Sequence, residues 1–203
     1  MVRTFTPTRQ YQNAGIGNFQ QIHDTKYATR SLAAAAIPST TNFFGAAPSA
    51  DPTLDRYEQG NTLVSSAKIF TIVGILAHIT FGTGGILTDM EKIIQYCCLR
   101  IVTAQKEFGV FPLHMAPAGG GIAIQAGQVA LTPAATPGTL SVVGAVNGMP
   151  ARTSGFTLAE PLDIQANQPF YMELLGPVTT AQTLTGIMNV KIILDGIEKR
   201  TAA

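Results

Sequence analysis

Two glycine-rich stretches are the first candidates for chemistry in this chain. They are GTGG at residues 82–85 and GGG at residues 119–121. A phosphate-binding loop requires GxxxxGK[ST] or GxGxxG between a strand and a helix, and neither pattern occurs here. His114 lies just before the second stretch, but a hydrolase oxyanion loop also requires a G-x-S-x-G nucleophile motif, which the sequence lacks. We therefore interpret both stretches as turns.

Side chains that bind metals are few and far apart in the sequence. The three histidines, His23, His78 and His114, show no H-x-x-x-H spacing, and there is no C-x-x-C pair. The two cysteines, Cys97 and Cys98, are adjacent, so a disulfide between them would be strained. We interpret them as small apolar residues of a protein that assembles in a reducing compartment. The sequence therefore predicts no metal site and no cofactor.

Two pairs of carboxylates have the residue types that glycoside hydrolysis requires. They are Asp89 with Glu91, and Glu160 with Asp163. That chemistry also needs aromatic rings on which the sugar stacks, and the chain contains no Trp. We interpret the first pair as part of a helix cap and the second as a solvated loop. No residue is predicted to be catalytic, and we expect no enzymatic activity.

Four basic residues are spread over the first thirty positions. They are Arg3, Arg9, Lys26 and Arg30, and the only acid in this stretch is Asp24. Arms that bind nucleic acid carry dense runs of Lys and Arg, because each neutralised phosphate releases counterions. The net charge of the whole chain is only +1. We therefore predict no sequence-specific binding of nucleic acid, and an arm that lies on neighbouring subunits or on an anionic membrane.

The overall composition indicates a surface that becomes covered. Hydrophobic residues make up 46% of the chain and charged residues 12%, about half the charged fraction of a typical soluble domain. Contact with like subunits is one explanation, and insertion into a membrane is the alternative. Residues 69–87 lack Asp, Glu, Lys and Arg and are long enough to cross a bilayer. Their glycines, His78 and their many Ile, Val, Thr and Phe residues favour a strand instead.

The elements that position these residues divide the chain in two. From residue 67 onward it consists of apolar, β-prone segments separated by Gly and Pro. The predicted strands cover residues 68–81, 97–103, 106–113, 122–131, 139–146, 170–175 and 188–195. Thr88 and Glu91 match a capping box, which predicts a short helix that ends near Ile94. An extended conformation is the alternative, because Ile93, Ile94 and Tyr96 are equally prone to form a strand.

The first sixty-six residues show almost no hydrophobic periodicity. Residues 31–37 are rich in Ala and predict one or two helical turns, and residues 38–66 are predicted to be a loop. Phe43 and Phe44 interrupt this polar stretch, and such a pair anchors a segment to a partner surface or to its own domain. The predicted fold is an all-β, eight-stranded antiparallel jelly-roll sandwich in residues 61–203, with a long irregular N-terminal arm in residues 1–60.

Three places in the sequence are similar to the single jelly-roll capsid proteins of icosahedral viruses, in particular those of tailless bacteriophages. The first is DRYEQGNTL at residues 55–63, which leads into KIFTI at residues 68–72. The second is residues 99–117, with KEF, FPL and a following PAGGG turn, and the third is IQANQPF at residues 164–170, which leads into MELL. The resemblance covers about residues 51–197, and it implies a structural virion subunit without catalytic residues.

These observations together predict a coat subunit that assembles into an icosahedral virion shell in the cytoplasm of a host. Its expected partners are copies of itself and other virion proteins, and an internal membrane beneath the shell is left open. The predicted assembly contacts are Leu32, Ile37, Phe43 and Phe44. A β-sandwich binding module, such as a phage vertex, decoration or receptor- or carbohydrate-binding protein, is the alternative. A β-sandwich hydrolase is a third class, and the missing motifs disfavour it.

Overall fold

The structure is a computed structural model that describes residues 19–58, 62–65, 68–104, 106–116, 123–127, 141–146 and 156–201. It is mostly β, with two antiparallel four-stranded sheets and one short α-helix, α1 (Leu87–Tyr96). The strands, in chain order, are β1 (Phe19–Leu32), β2 (Thr40–Phe43), β3 (Lys68–Phe81), β4 (Cys98–Thr103), β5 (Lys106–Pro112), β6 (Ala123–Gly127), β7 (Ser141–Val146), β8 (Phe156–Ile164), β9 (Phe170–Leu175) and β10 (Met188–Thr201). A 3₁₀ turn, Leu113–Met115, follows β5.

The strand order within the sheets follows one nested pattern. The first sheet has the order β1-β10-β3-β8, the second has the order β2-β9-β4-β5, and β6 and β7 pair only with each other. If this separate hairpin is set aside, the first of the eight remaining strands pairs with the last, the second with the seventh, the third with the sixth and the fourth with the fifth. The chain therefore pairs like one long hairpin whose strands are shared between two sheets.

One hydrophobic core joins the inner faces of both sheets. On β10, the side chains of Met188, Val190, Ile192 and Leu194 are fully buried and alternate with partly exposed ones. Strict alternation along β3 would place Ile75 and Ile79 on the face opposite Phe70 and Ile72. A β-bulge between Ile72 and Gly74 shifts the alternation, so all four side chains share the buried face.

Several predicted elements are confirmed. The strands predicted at residues 68–81 and 170–175 have those bounds in the structure, and those predicted at 97–103 and 106–113 differ by one residue at one end. The strands predicted at residues 122–131 and 139–146 lie only partly within the described residues. Their described parts form β6 and β7. The GGG stretch at residues 119–121 lies outside the described residues altogether.

Two strands lie before residue 60, where an irregular arm was predicted: β1 belongs to the first sheet and β2 to the second. β1 does not show the hydrophobic alternation of a strand, because two of its inward-facing side chains, Asp24 and Lys26, are charged. These two side chains pair with one another. Residues 51–57 then run along the outer edge of β1, where Tyr27 and Arg56 exchange two backbone hydrogen bonds. This segment covers part of an edge that would otherwise be free to pair.

Two local predictions near the helices also need correction. Residues 33–37 form no helical turn, because their backbone bonds across to residues 182–184 instead. The predicted helix exists, but its N-cap is Ile86, without a side-chain cap, so Thr88 and Glu91 form no capping box.

Within the described residues, no helix combines the length and the apolar character needed to cross a bilayer. The apolar stretch at residues 69–87, which is long enough to cross a bilayer, consists of most of β3, a turn and the first residue of α1.

Candidate assembly surface

The predicted assembly contacts lie in the core of their own chain. Leu32, Ile37, Phe43 and Phe44 are 1%, 5%, 0% and 0% exposed. Phe44 packs edge-on against Tyr57 and Phe170, with ring centroids 5.2 Å and 5.9 Å apart. The aromatic pair therefore anchors its segment to its own domain. In this conformation the four side chains are not available to a neighbouring copy, and an assembly surface has to be sought elsewhere.

The histidines and cysteines are far from forming a reactive cluster. His23 Nε2 lies 2.6 Å from Asp195 Oδ1, and His114 is exposed in the 3₁₀ turn. Burial and the nearby charge of Lys191 both lower the pKa of His78. Burial raises the pKa of Cys97 to about 12, which keeps its thiol protonated and unreactive. Within the described part of the chain, no group of three His, Cys, Asp or Glu residues could hold a metal ion.

Neither carboxylate pair forms a site for acid–base chemistry. The side chain of Asp89 is fully buried, whereas Glu91 is partly exposed on the same helix. Glu160 and Asp163 are both exposed on β8, and Asp163 accepts a hydrogen bond from the Thr71 hydroxyl. The second pair thus lies on a solvated strand rather than the predicted loop. In the first pair one side chain is buried and the other is partly exposed, and only Asp89 makes hydrogen bonds that assign it a role.

The strand ends that meet around α1 form a surface without charged loops. The antiparallel registers bring together the ends of β1, β3, β5 and β9 and the starts of β2, β4 and β10. The connecting loops are residues 33–39, 82–86, 113–116 and 176–187. None of them contains Asp, Glu, Lys or Arg. We call this surface the uncharged end after its loops, although helix α1 beside them carries Asp89, Glu91 and Lys92.

Backbone hydrogen bonds join three of these loops into one layer. Ile37 N–H donates to the Gln182 carbonyl at 2.8 Å, and Leu184 N–H donates to the Ala35 carbonyl at 2.9 Å. Gly82 N–H donates to the Ile187 carbonyl, also at 2.8 Å. The loops are so close that a Cβ on Gly186 would lie 1.9 Å from the carbonyl carbon of Gly84. The uncharged end is therefore an ordered surface built from main chain.

Asp89 connects this layer to helix α1. Its carboxylate accepts hydrogen bonds from Thr185 N–H at 2.9 Å and Gly186 N–H at 3.0 Å. Burial acts to raise the pKa of Asp89, but these backbone donors outweigh it and hold the pKa below its ordinary value. Lys92, one turn later, donates to the Thr183 carbonyl at 2.6 Å. A buried charge on the helix thus fixes the loop that leads into β10.

Replacing Asp89 with alanine is expected to lower the free energy of unfolding by about 1–3 kcal/mol, because the buried Gly186 N–H loses its acceptor. Urea denaturation of the purified variant measures this change. Glu91→Ala, two residues away and partly exposed, is the matched control, and it should stay within about 0.5 kcal/mol of the parent. Equal effects of the two substitutions would contradict the role given to Asp89.

Large apolar side chains are exposed at this end. Phe81, Ile86 and Ile187 are 39%, 44% and 37% exposed on adjoining segments, and Tyr96, Met115 and Val178 are exposed on other elements of the same end. Ile86 is unfavourable for an isolated domain in two ways. It exposes apolar area, and it occupies an N-cap position where Ser, Thr, Asp or Asn would satisfy a free N–H of the helix. Such a residue fits a surface that becomes covered.

The opposite end of the two sheets is highly charged. Asp24, Glu58 and Glu198 interleave there with Lys26, Arg56 and Lys68. Lys26 Nζ lies 2.9 Å from Asp24 and 3.0 Å from Glu198. Burial acts to raise the pKa of Glu58, but hydrogen bonds from Lys68 and Ser65 outweigh it and hold the pKa at about 2. The charges of this region are thus paired within the subunit.

The uncharged end was not predicted, although the lack of charge in each of its loops is visible in the sequence. Only the strand order shows that the four loops meet.

No family model matches this chain, and no match was found among curated proteins or among solved structures. The functional conclusion therefore depends on the sequence and on the geometry described above.

Proposed function

We propose that this chain is the coat subunit of an icosahedral virion shell and that its two sheets form an eight-stranded jelly roll. The nested pairing of first strand with last, second with seventh, third with sixth and fourth with fifth supports this fold. A long hairpin that wraps around itself produces this pairing, and it occurs in viral capsid domains and also in lectins and cupins. The fold alone therefore does not decide the function.

The observation that carries the proposal is the uncharged end. Its loops contain no charged residue, its exposed side chains include Phe81, Ile86 and Ile187, and its backbone is cross-linked by hydrogen bonds. An ordered apolar surface of this kind is complementary to another copy of itself. Burial contributes about 25 cal/mol per Å² of apolar area, and a closed shell repeats the contact in every subunit. Weak single contacts then suffice for a stable particle.

The proposal places the chain in the virion, assembled in the host cytoplasm, with copies of itself and other virion proteins as partners. It assigns no catalysis, no cofactor and no sequence-specific nucleic acid binding to the chain. The resemblance to coat proteins of tailless bacteriophages belongs to this proposal. A membrane beneath the shell is compatible with it, since the uncharged end concerns only contacts between subunits.

Sedimentation velocity and negative-stain electron microscopy of the purified full chain test the proposal. Regular closed particles are the expected result. Discrete monomers or trimers over the whole accessible concentration range would favour the alternative, a β-sandwich binding module. Hydrolysis in a substrate screen would contradict the absence of catalysis.

A further inference from the structure

β5 forms an open strand edge in the part of the chain that the structure describes. β5 is the last strand of the second sheet, and no described strand pairs with its outer side. Its side chains Phe108 and Val110 are 55% and 46% exposed. The edge of β1 in the first sheet is, by contrast, partly covered by residues 51–57. An open edge with apolar side chains is a template for another strand.

A bulge in β5 sets the direction of Phe108. Gly109 pairs with Ile101 and Glu107 pairs with Val102, so Phe108 is an extra residue without a partner on β4. Bulges of this kind re-aim a side chain, and here the ring is left in solvent. The edge therefore combines unpaired backbone groups with an aromatic side chain that a neighbour could cover.

The hairpin β6–β7 is a second place with open strand edges. Its two strands pair with each other in a sheet of their own, and no other strand within the described ranges pairs with either of them. Neither strand sequence, AIQAG or SVVGAV, contains a charged residue. A two-stranded hairpin is at best marginally stable in water, and a third strand or a packed face is needed to stabilise it.

We propose that the β6–β7 hairpin of one copy adds to the free β5 edge of a second copy. The addition would pair backbone groups that are free on both partners and would cover Phe108 and Val110. Within the single chain the hairpin and β5 belong to different sheets, which leaves both edges open to a neighbour. A contact between two different patches is heterologous and closes into rings at a suitable rotation. This inference rests on the proposed function and names a second contact beside the uncharged end.

The test uses the full chain with Phe108→Lys and Val110→Lys together. Both side chains are exposed, so the fold should be retained, whereas particles should be lost or should need at least a tenfold higher concentration. Thr157→Lys, an exposed residue on the edge strand β8, is the matched control and should assemble normally. Sedimentation velocity gives the fraction assembled, and circular dichroism verifies the fold.

A mixing experiment separates pairing between copies from pairing within one copy. The lysine variant keeps its hairpin, and a second variant, with residues 118–154 replaced by a short Gly-Ser linker, keeps its β5 edge. An equimolar mixture should form a one-to-one complex that neither variant forms alone. A mixture without this complex, or lysine variants that assemble as the parent does, would overturn this inference alone. Failure of the unmodified chain to form any particle would overturn the proposed function and this inference with it.

Discussion

Replacing Ile86 with aspartate is expected to stabilise the folded domain and, at the same time, to abolish shell assembly. Ile86 is the N-cap of α1 in an extended conformation and makes no side-chain cap. Aspartate at an N-cap offers its carboxylate to the N–H groups of the first helical turn, which contributes about 0.5–2 kcal/mol. The same carboxylate would be buried without a partner wherever the uncharged end meets another copy. That costs about 3–5 kcal/mol, which corresponds to more than a 100-fold rise, roughly, in the concentration needed for assembly.

Two controls separate the cap from the charge. Ile86→Lys carries a charge but offers no cap, so it should also fail to assemble and should unfold at lower urea than Ile86→Asp. Leu54→Asp puts the same charge on a side chain of matched exposure, 44% in both cases, in the segment beside β1. It should form normal particles. Particles formed by Ile86→Asp at the concentration of the parent chain would contradict the role of the uncharged end.

Replacing Lys26 with methionine is expected to lower the free energy of unfolding by about 3–5 kcal/mol. Lys26 is 5% exposed and lies between Asp24 and Glu198, which is itself only 6% exposed. Burial acts to lower the pKa of Lys26, but hydrogen bonds to these two carboxylates outweigh it and raise the pKa above its ordinary value. The substitution would leave both carboxylates near the core without their shared cation. Asp24 would keep Arg56 and Glu198 would keep Lys68, at 3.8 Å, so the penalty comes from largely buried charges that have lost the cation they share and not from lost packing.

Urea denaturation measures this change, and the Ile86→Asp background is the suitable parent because assembly otherwise stabilises the folded state by mass action. Lys199→Met is the matched control. Lys199 follows Glu198 on β10 and points to the opposite, partly exposed face. Its replacement should change the stability by less than about 0.5 kcal/mol. A similarly small effect at Lys26 would show that the charged end contributes little to stability.

The sequence predicted those strands whose side chains alternate between core and solvent. β10 is the clearest example, because Met188, Val190 and Ile192 face a core formed by both sheets and alternate with partly exposed residues. β1 could not be found in this way. Its inward positions include Asp24 and Lys26, which are tolerated there only because Glu198 and Arg56 lie nearby. Pairing between distant residues is invisible to a search for local periodicity.

Sequence alone also left open which surface Phe43 and Phe44 contact. Phe43 and Phe44 have the composition of an anchor, but composition does not say whether an anchor binds its own domain or a neighbour. The structure places Phe44 against Phe170, more than a hundred residues away. The uncharged end was not predicted, because each of its loops carries no signal alone. The loops form one surface only through the strand order, which brings them together.

Electron cryomicroscopy of particles assembled from the purified chain tests the central claim most directly. The account predicts closed shells in which Phe81, Ile86 and Ile187 of each subunit are covered by a neighbouring subunit. Shells in which these three side chains face solvent, or a chain that stays monomeric at every concentration, would contradict it.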